Sequence, residues 1–277
     1  MVNFNDYFHV NGKVYFNADL ENDSRLFLNP DALVKVGSNL FDAKEAKINI
    51  SSYFERVYLL YRSMRKAEAR ELLTFPREVK YTRIGYGDSS QFGRGTSLTI
   101  LDEVLMRLVK SGIDLDLIKD YPQFLMLLTK NFGSDRLSDL VTNLCYEQLV
   151  NFTHKICKML GISAKTKVKA CYFDAKEYSW VKRIVMLPVD HNGMPILLMP
   201  KEAVIEEYKF SPYKFLRKVL LPSRQQQLKE LGIYQTLDDI YSTDVQPYQD
   251  NKEYNLSRVI EDPSLIVEYL NITRKLA

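Results

Sequence analysis

The sequence has few cysteines, almost no net charge and a single tryptophan. Three cysteines in 277 residues are odd in number and widely spaced, so the chain lacks the Cys/His spacing of a structural zinc site. Reduced thiols in the cytosol fit this cysteine usage best. The net charge of +3 is too small to indicate a nucleic-acid ligand by itself. These features predict a cytoplasmic protein without disulfides.

Long apolar runs are also missing. No stretch approaches the roughly 20 apolar residues that a membrane-spanning helix needs. The first residues lack a basic segment followed by an apolar one, so we expect no signal peptide and no membrane partner. Hydrophobic residues make up 46% of the chain and charged residues 26%, which is typical of a globular protein with a packed core.

The hydrophobic periodicity changes twice along the chain. It predicts two short N-terminal strands, then helices with 3.6-residue spacing up to about Leu160, then strands again, then helices. The late strands are Val168–Phe173, Trp180–Leu187 and Pro195–Met199, and Asn192-Gly193 is a strong hairpin-turn signal between the last two. The predicted fold class is therefore α+β, with a main domain over 1–205 and a helical C-terminal extension over 206–277.

An acidic stripe opens the longest amphipathic helix, which is predicted from Ser134 to about Leu160. Asp135, Asp139 and Asn143 follow one another at i, i+4 spacing, so they share one helical face. Carboxylates and an amide on one face could coordinate a cation or orient a water. The alternative is that the two acids merely complement the helix dipole, which acts over the first turn only.

A glycine-rich segment precedes another helix. It contains Gly85, Gly87, Gly93, Arg94 and Gly95, and bare backbone amides of this kind can bind an anion. The spacing matches neither the P-loop nor the dinucleotide-binding fingerprint. The alternative interpretation is an exposed loop without a ligand.

A late lysine, Lys201, follows the predicted strand Pro195–Met199. An ammonium group there could stabilise charge on a phosphoryl group, or it could simply be the solvent end of a strand. Restriction-type nucleases carry a carboxylate two residues before such a lysine, whereas this chain has Met199.

Four short motifs resemble those of a group of uncharacterised bacterial proteins found in mobile elements and antiviral-defence regions. They are Leu26-Phe-Leu-Asn-Pro30, Gly85-Tyr86, Gly133-Ser-Asp-Arg-Leu-Ser-Asp139 and Leu198-Met-Pro-Lys201. The group pattern has Asp where this chain has Asn29, which weighs against a catalytic role for that position. The resemblance covers the chain to about residue 205 and implies a component of a defence system.

Two hypotheses follow from these observations. The first is a nuclease or phosphodiesterase that depends on Mg²⁺, with Asp135 and Asp139 as metal ligands and catalytic residues. Lys201 would be the third catalytic residue, and Asn143 with the glycine segment would bind the substrate. The second is a non-enzymatic sensor or adaptor that binds a partner protein or nucleic acid within a defence complex.

Overall fold

The computed structural model describes residues 2–74, 79–85 and 96–275. Its α-helices are α1 (Phe4–Phe8), α2 (Pro30–Leu33), α3 (Ala43–Arg62), α4 (Lys66–Leu73), α5 (Thr96–Lys110), α6 (Leu115–Asp120), α7 (Leu125–Leu128), α8 (Ser134–Leu144), α9 (Tyr146–Leu160), α10 (Pro212–Phe215), α11 (Leu221–Glu230), α12 (Leu237–Ile240), α13 (Asn251–Glu261) and α14 (Ser264–Lys275). The strands are β1 (Phe27–Leu28), β2 (Thr166–Asp174), β3 (Ser179–Leu187) and β4 (Val204–Ile205).

Helices dominate, and the strands form two small antiparallel sheets. Strand β1 pairs with β4, and β2 pairs with β3 over nine residue pairs. This arrangement confirms the predicted α+β class. Across the part of the chain described here, no helix is both long enough and apolar enough to cross a membrane.

The described residues group into two compact units. The first contains residues 2–57, 74, 79–85 and 134–207, and the second contains 58–73, 96–133 and 208–275. The predicted division into 1–205 and 206–277 stays a prediction about which parts fold independently.

Helices α8 and α9 supply much of the core of the first unit. The predicted apolar stripe is buried as expected, with Leu137, Leu140 and Leu144 fully covered. The single helix predicted over 134–160 is wrong in one respect, because it breaks at Cys145, whose backbone leaves the helical region. The break leaves the Leu144 carbonyl without a helical partner, and the amide of Asn49 on α3 donates to it at 3.0 Å.

The strand prediction needs two corrections. The two N-terminal segments do not pair with each other; Tyr15 instead forms an isolated bridge with Pro200, and only β1 forms a strand. Residues 195–199 form no strand either, because the turn at Asn192-Gly193 is closed by a single bridge between Val189 and Pro195. The long hairpin lies earlier in the chain, between β2 and β3, and its turn is at residues 175–178.

In the second unit, side chains of α13 satisfy carbonyl groups around the end of α7. Lys252 donates through Nζ to the carbonyl oxygens of Thr129 (3.1 Å) and Phe132 (3.0 Å). Asn255 donates through Nδ2 to the Leu127 carbonyl at 3.0 Å. Burial lowers the pKa of Lys252, and Asp250 partly opposes that change. These contacts fasten α7 to α13 within this unit.

Candidate functional site

The acidic stripe on α8 passes from partly covered to fully buried. Asp135 and Asp139 are half-buried, and neither is without an interaction partner. Asn143 is fully buried, and its Nδ2 donates to the Asp139 carbonyl oxygen at 2.9 Å, one turn back in the same helix. Its Oδ1 is buried and accepts no hydrogen bond. The three side chains therefore share a face but not the same access to solvent.

The lysine predicted to complete the site, Lys201, is exposed and opens a one-turn 3₁₀ helix, Lys201–Ala203. Its backbone N–H donates to the Val14 carbonyl at 3.1 Å. Strand β1 joins this turn to the acidic helix, since Leu28 N–H donates to Ser138 Oγ at 2.9 Å and Asn29 N–H donates to the Ala203 carbonyl at 2.8 Å. The fold thus attaches both predicted elements to two consecutive residues, Leu28 at the end of β1 and Asn29 after it.

The predicted glycine segment is described only at its start. Gly85 is buried at φ +127°, a conformation that favours glycine, and its N–H donates to the Ser24 carbonyl at 3.0 Å. This contact gives Gly85 a structural role. Gly87, Gly93, Arg94 and Gly95 lie outside the described residues. Among the described residues, no group of three His, Cys, Asp or Glu side chains could hold a metal ion, and the Mg²⁺ site at Asp135 and Asp139 stays a prediction.

The β2–β3 ribbon presents a basic surface that the sequence analysis did not identify. Opposed residues of an antiparallel pair lie on the same side of the ribbon, so the register decides which side chains meet. On one side it places Lys167 opposite Met186, Lys169 opposite Ile184, and Cys171 opposite Lys182. We call these six residues the outer face, which contains no carboxylate. The fourth pair on the same side, Phe173 opposite Trp180, lies next to the turn and is packed against Tyr53 of α3.

Four of the six side chains of the outer face are exposed, and those of Cys171 and Met186 are half-buried. All three lysines are exposed, and Ile184, across from Lys169, is 66% exposed. None of the three lysines forms an ion pair with a described residue. Burial raises the pKa of the Cys171 thiol, and the neighbouring Lys182 ammonium partly offsets that effect.

The ribbon carries a net positive charge. Five basic and two acidic residues lie between Thr166 and Leu187, a net charge of +3, which equals the net charge of the whole chain. The two acidic residues, Asp174 and Glu177, lie at the turn end, outside the outer face. The charges of the other residues therefore cancel in sum, and the outer face itself has three ammonium groups and no carboxylate.

The opposite side of the ribbon holds it in place. Val168, Ala170 and Tyr172 are buried, and the Tyr172 ring stacks on Tyr146 of α9 with centroids 6.2 Å apart. His154 on α9 donates from Nε2 to the Met186 carbonyl at 2.5 Å. These contacts fix the ribbon on helices rather than leaving it as an isolated hairpin, which would be only marginally stable in water.

The turn end of the ribbon is fixed by aromatic packing. Trp180 lies with its ring centroid 5.8 Å from both Phe173 and Tyr53 of α3. The sequence did contain one signal for the outer face: Lys167 and Lys169 alternate with the apolar residues Val168 and Ala170, which are buried in the structure. Lys182 could not be added to them without the strand register.

Comparison with known proteins gives a family and no activity. No curated protein and no solved structure matches the chain. A family model described as "Domain of unknown function (DUF8370)" matches residues 11–211, well over half of the 277 residues. The matched segment includes α8, α9 and the whole ribbon. The chain therefore belongs to the DUF8370 family.

Proposed function

We propose that this protein is a nucleic-acid-binding subunit without a reaction of its own, and that it binds through the outer face of the β2–β3 ribbon. The observation that carries the proposal is the row of exposed lysines, Lys167, Lys169 and Lys182, on a surface with no carboxylate. The predicted nuclease site supports cleavage less well, because its predicted substrate-binding residue Asn143 is buried while its predicted catalytic residue Lys201 is exposed.

The physical basis is release of counterions. Each ammonium that neutralises a phosphate frees a condensed cation, which makes binding favourable and strongly dependent on salt. An exposed lysine without an internal partner gives up no existing ion pair when it meets a phosphate. The helices beneath the ribbon keep the three ammonium groups on one surface, so ordering the backbone adds little cost on binding.

Fluorescence anisotropy with random-sequence labelled DNA and RNA tests this function. The variant K167Q/K169Q/K182Q should lower affinity at least roughly tenfold near 0.1 M salt, and the slope of log K against log salt should fall by about 3. The matched control K44Q/K47Q/K158Q removes the same charge from exposed positions of the same unit. Equal losses in both variants, or no binding by the wild type, would refute the proposal.

A metal-dependent nuclease is the second candidate. Its supporting observation is that Asp135 and Asp139 lie one turn apart and are both half-buried, so a cation could reach them while part of its water shell is excluded. Mg²⁺ is commonly bound by one or two carboxylates together with substrate phosphates, so two ligands would suffice. The ribbon would then hold the substrate for cleavage.

Gel analysis of the same binding reactions, with Mg²⁺, Mn²⁺ or EDTA, separates the two functions. The nuclease candidate requires cleavage that D135N/D139N abolishes while binding and melting temperature persist. Intact nucleic acid in every reaction, alone or with neighbouring gene products, supports the binding subunit.

We further propose that the protein acts in the cytoplasm within a multi-protein bacterial antiviral system. The resemblance to defence-associated proteins supports this part of the proposal. Phage plaque counts on cells that carry the complete gene cluster would test it. Replacing the wild-type gene by the triple ribbon variant should raise plaque numbers, whereas the control triple should not. Equal protection by the wild type, the triple ribbon variant and the control triple would show that the ribbon lysines are not needed for defence.

A further inference from the structure

The preferred ligand can be narrowed from the dimensions and chemistry of the outer face. We infer that the ribbon binds double-stranded DNA of B form with its outer face in the major groove, an inference that rests on the proposed nucleic-acid-binding function. It concerns the form of the nucleic acid and the groove, which the charge of the ribbon alone does not specify.

The first argument is width. Two paired strands lie about 4.8 Å apart, and the major groove of B-form DNA, about 12 Å wide, admits a two-stranded ribbon with its side chains. The minor groove is about 6 Å wide, too narrow for the same element. The deep, narrow major groove of double-stranded RNA does not admit side chains, which disfavours an RNA duplex.

The second argument is the spacing of the charges. Lys167, Lys169 and Lys182 occupy three alternate levels of the ladder, so they span about 14 Å at 3.4 Å per residue. The same length of duplex is about four base pairs and carries about eight phosphate charges. Three ammonium groups can therefore each meet a separate phosphate.

The third argument concerns the residues between the lysines. Single-stranded nucleic acids are bound mainly by aromatic side chains that stack on bases, and the six residues of the outer face include none; Phe173 and Trp180 come next on the same side of the ribbon. The nearest ring, Trp180, is packed against Tyr53 and Phe173. The face presents the exposed aliphatic side chain of Ile184 instead, which suits contact with the thymine methyl group in the major groove.

The test compares three ligands of one sequence: a 20-base-pair DNA duplex, its single strand and the matching RNA duplex. We expect the wild type to bind the DNA duplex at least roughly tenfold more tightly than either of the others, because each lacks a groove or shape that fits the ribbon. A competing polyglutamate chain should displace the DNA only at much higher charge concentration. Equal competition by polyglutamate would show a surface for acidic polypeptides and overturn the inference.

A second measurement examines the groove directly. Replacing thymine by uracil in the duplex removes the methyl groups and should weaken wild-type binding several-fold. The variant Ile184→Ser should bind both duplexes with the same affinity, while its Trp180 emission stays that of the folded ribbon. No thymine preference in the wild type would place the ribbon outside the major groove.

The outcomes keep the two proposals apart. Absence of all nucleic-acid binding removes the proposed function and this inference together. Tight binding of single-stranded DNA or duplex RNA that still depends on the three ribbon lysines leaves the proposed function standing and refutes only the inference.

Discussion

Removing Asp190 should destabilise the first unit more than any surface substitution. Its carboxylate is completely buried, and Oδ2 lies 2.6 Å from Nη2 of Arg83, whose side chain is 13% exposed. Oδ1 accepts the backbone N–H groups of Asn192 (2.8 Å) and Met194 (2.9 Å). One side chain thus joins residues 79–85 to the turn after β3.

The expected loss in the free energy of unfolding follows from the groups that Asp190→Ala leaves without a partner. The Arg83 guanidinium would stay largely buried without its anion, and its Nε has no hydrogen-bond partner in the native protein. Breaking a buried ion pair by removing one member typically costs about 3–5 kcal/mol. Asp190→Asn should cost less, because the amide oxygen can still accept the two turn N–H groups.

A double-mutant cycle measures the pair itself. Arg83→Met keeps a non-glycine residue at the left-handed backbone position (φ +59°), so the backbone cost is the same throughout the cycle. We expect Asp190→Ala and Arg83→Met to be less destabilising together than the sum of the single changes, by roughly 1–3 kcal/mol.

Denaturation followed by Trp180 fluorescence supplies the assay. Trp180 is the only tryptophan, and it is packed on Phe173 and Tyr53 of the same unit, so its emission reports that unit. A loss below about 1 kcal/mol for Asp190→Ala, or strictly additive changes, would show that the pair does not support the fold.

Three further predictions concern individual buried groups. Gly85→Ala should destabilise the first unit by about 1–3 kcal/mol, since alanine is strained at φ +127°; unchanged Trp180 unfolding would contradict this. Asp102→Ala should cost about 1–3 kcal/mol in hydrogen exchange of the second unit, because it removes a buried carboxylate that accepts the hydrogen bond of the Tyr61 hydroxyl; removal of the 64% exposed Arg70 partner should cost under 1 kcal/mol. Burial raises the pKa of Tyr254 to about 12, and its hydroxyl has no hydrogen-bond partner. Unfolded tyrosine ionises near pH 10, so the unfolded state holds fewer protons between pH 10 and 12 and stability falls there. Tyr254→Phe should keep or slightly raise stability at pH 7 and reduce the alkaline loss by up to about 3 kcal/mol; an unchanged alkaline profile would refute the assignment.

Local periodicity predicted much of the fold. The helical positions Leu137, Leu140 and Leu144 are buried as expected, and the strands around Val168–Phe173 and Trp180–Leu187 form. Predictions that required distant partners were less successful. The apolar run Ile196–Met199 is buried without being a strand. Its side chains need only an apolar environment, and its backbone can form hydrogen bonds outside any strand, as the Leu197 N–H does with the Tyr81 carbonyl at 2.9 Å.

The candidate site shows the same division. The i, i+4 spacing placed Asp135, Asp139 and Asn143 on one face of the helix. It could not show that Asn143 is buried while the two carboxylates are partly exposed. Lysines in a strand are usually read as solvent-exposed positions, so the ribbon was not identified as a site. Its significance depends on what lies opposite each lysine, and in a β-ladder that is decided by register.

The sequence by itself determined the α+β class, the shortage of cysteine and the alternation that points Lys167 and Lys169 to one side of a strand, because these depend on composition and on neighbours along the chain. Only the tertiary structure decided that β3 brings Lys182 and Ile184 to that side, that helices cover the other side, and that Arg83 and Asp190 meet. Those outcomes depend on contacts between residues far apart in the chain, and no local pattern encodes such distances.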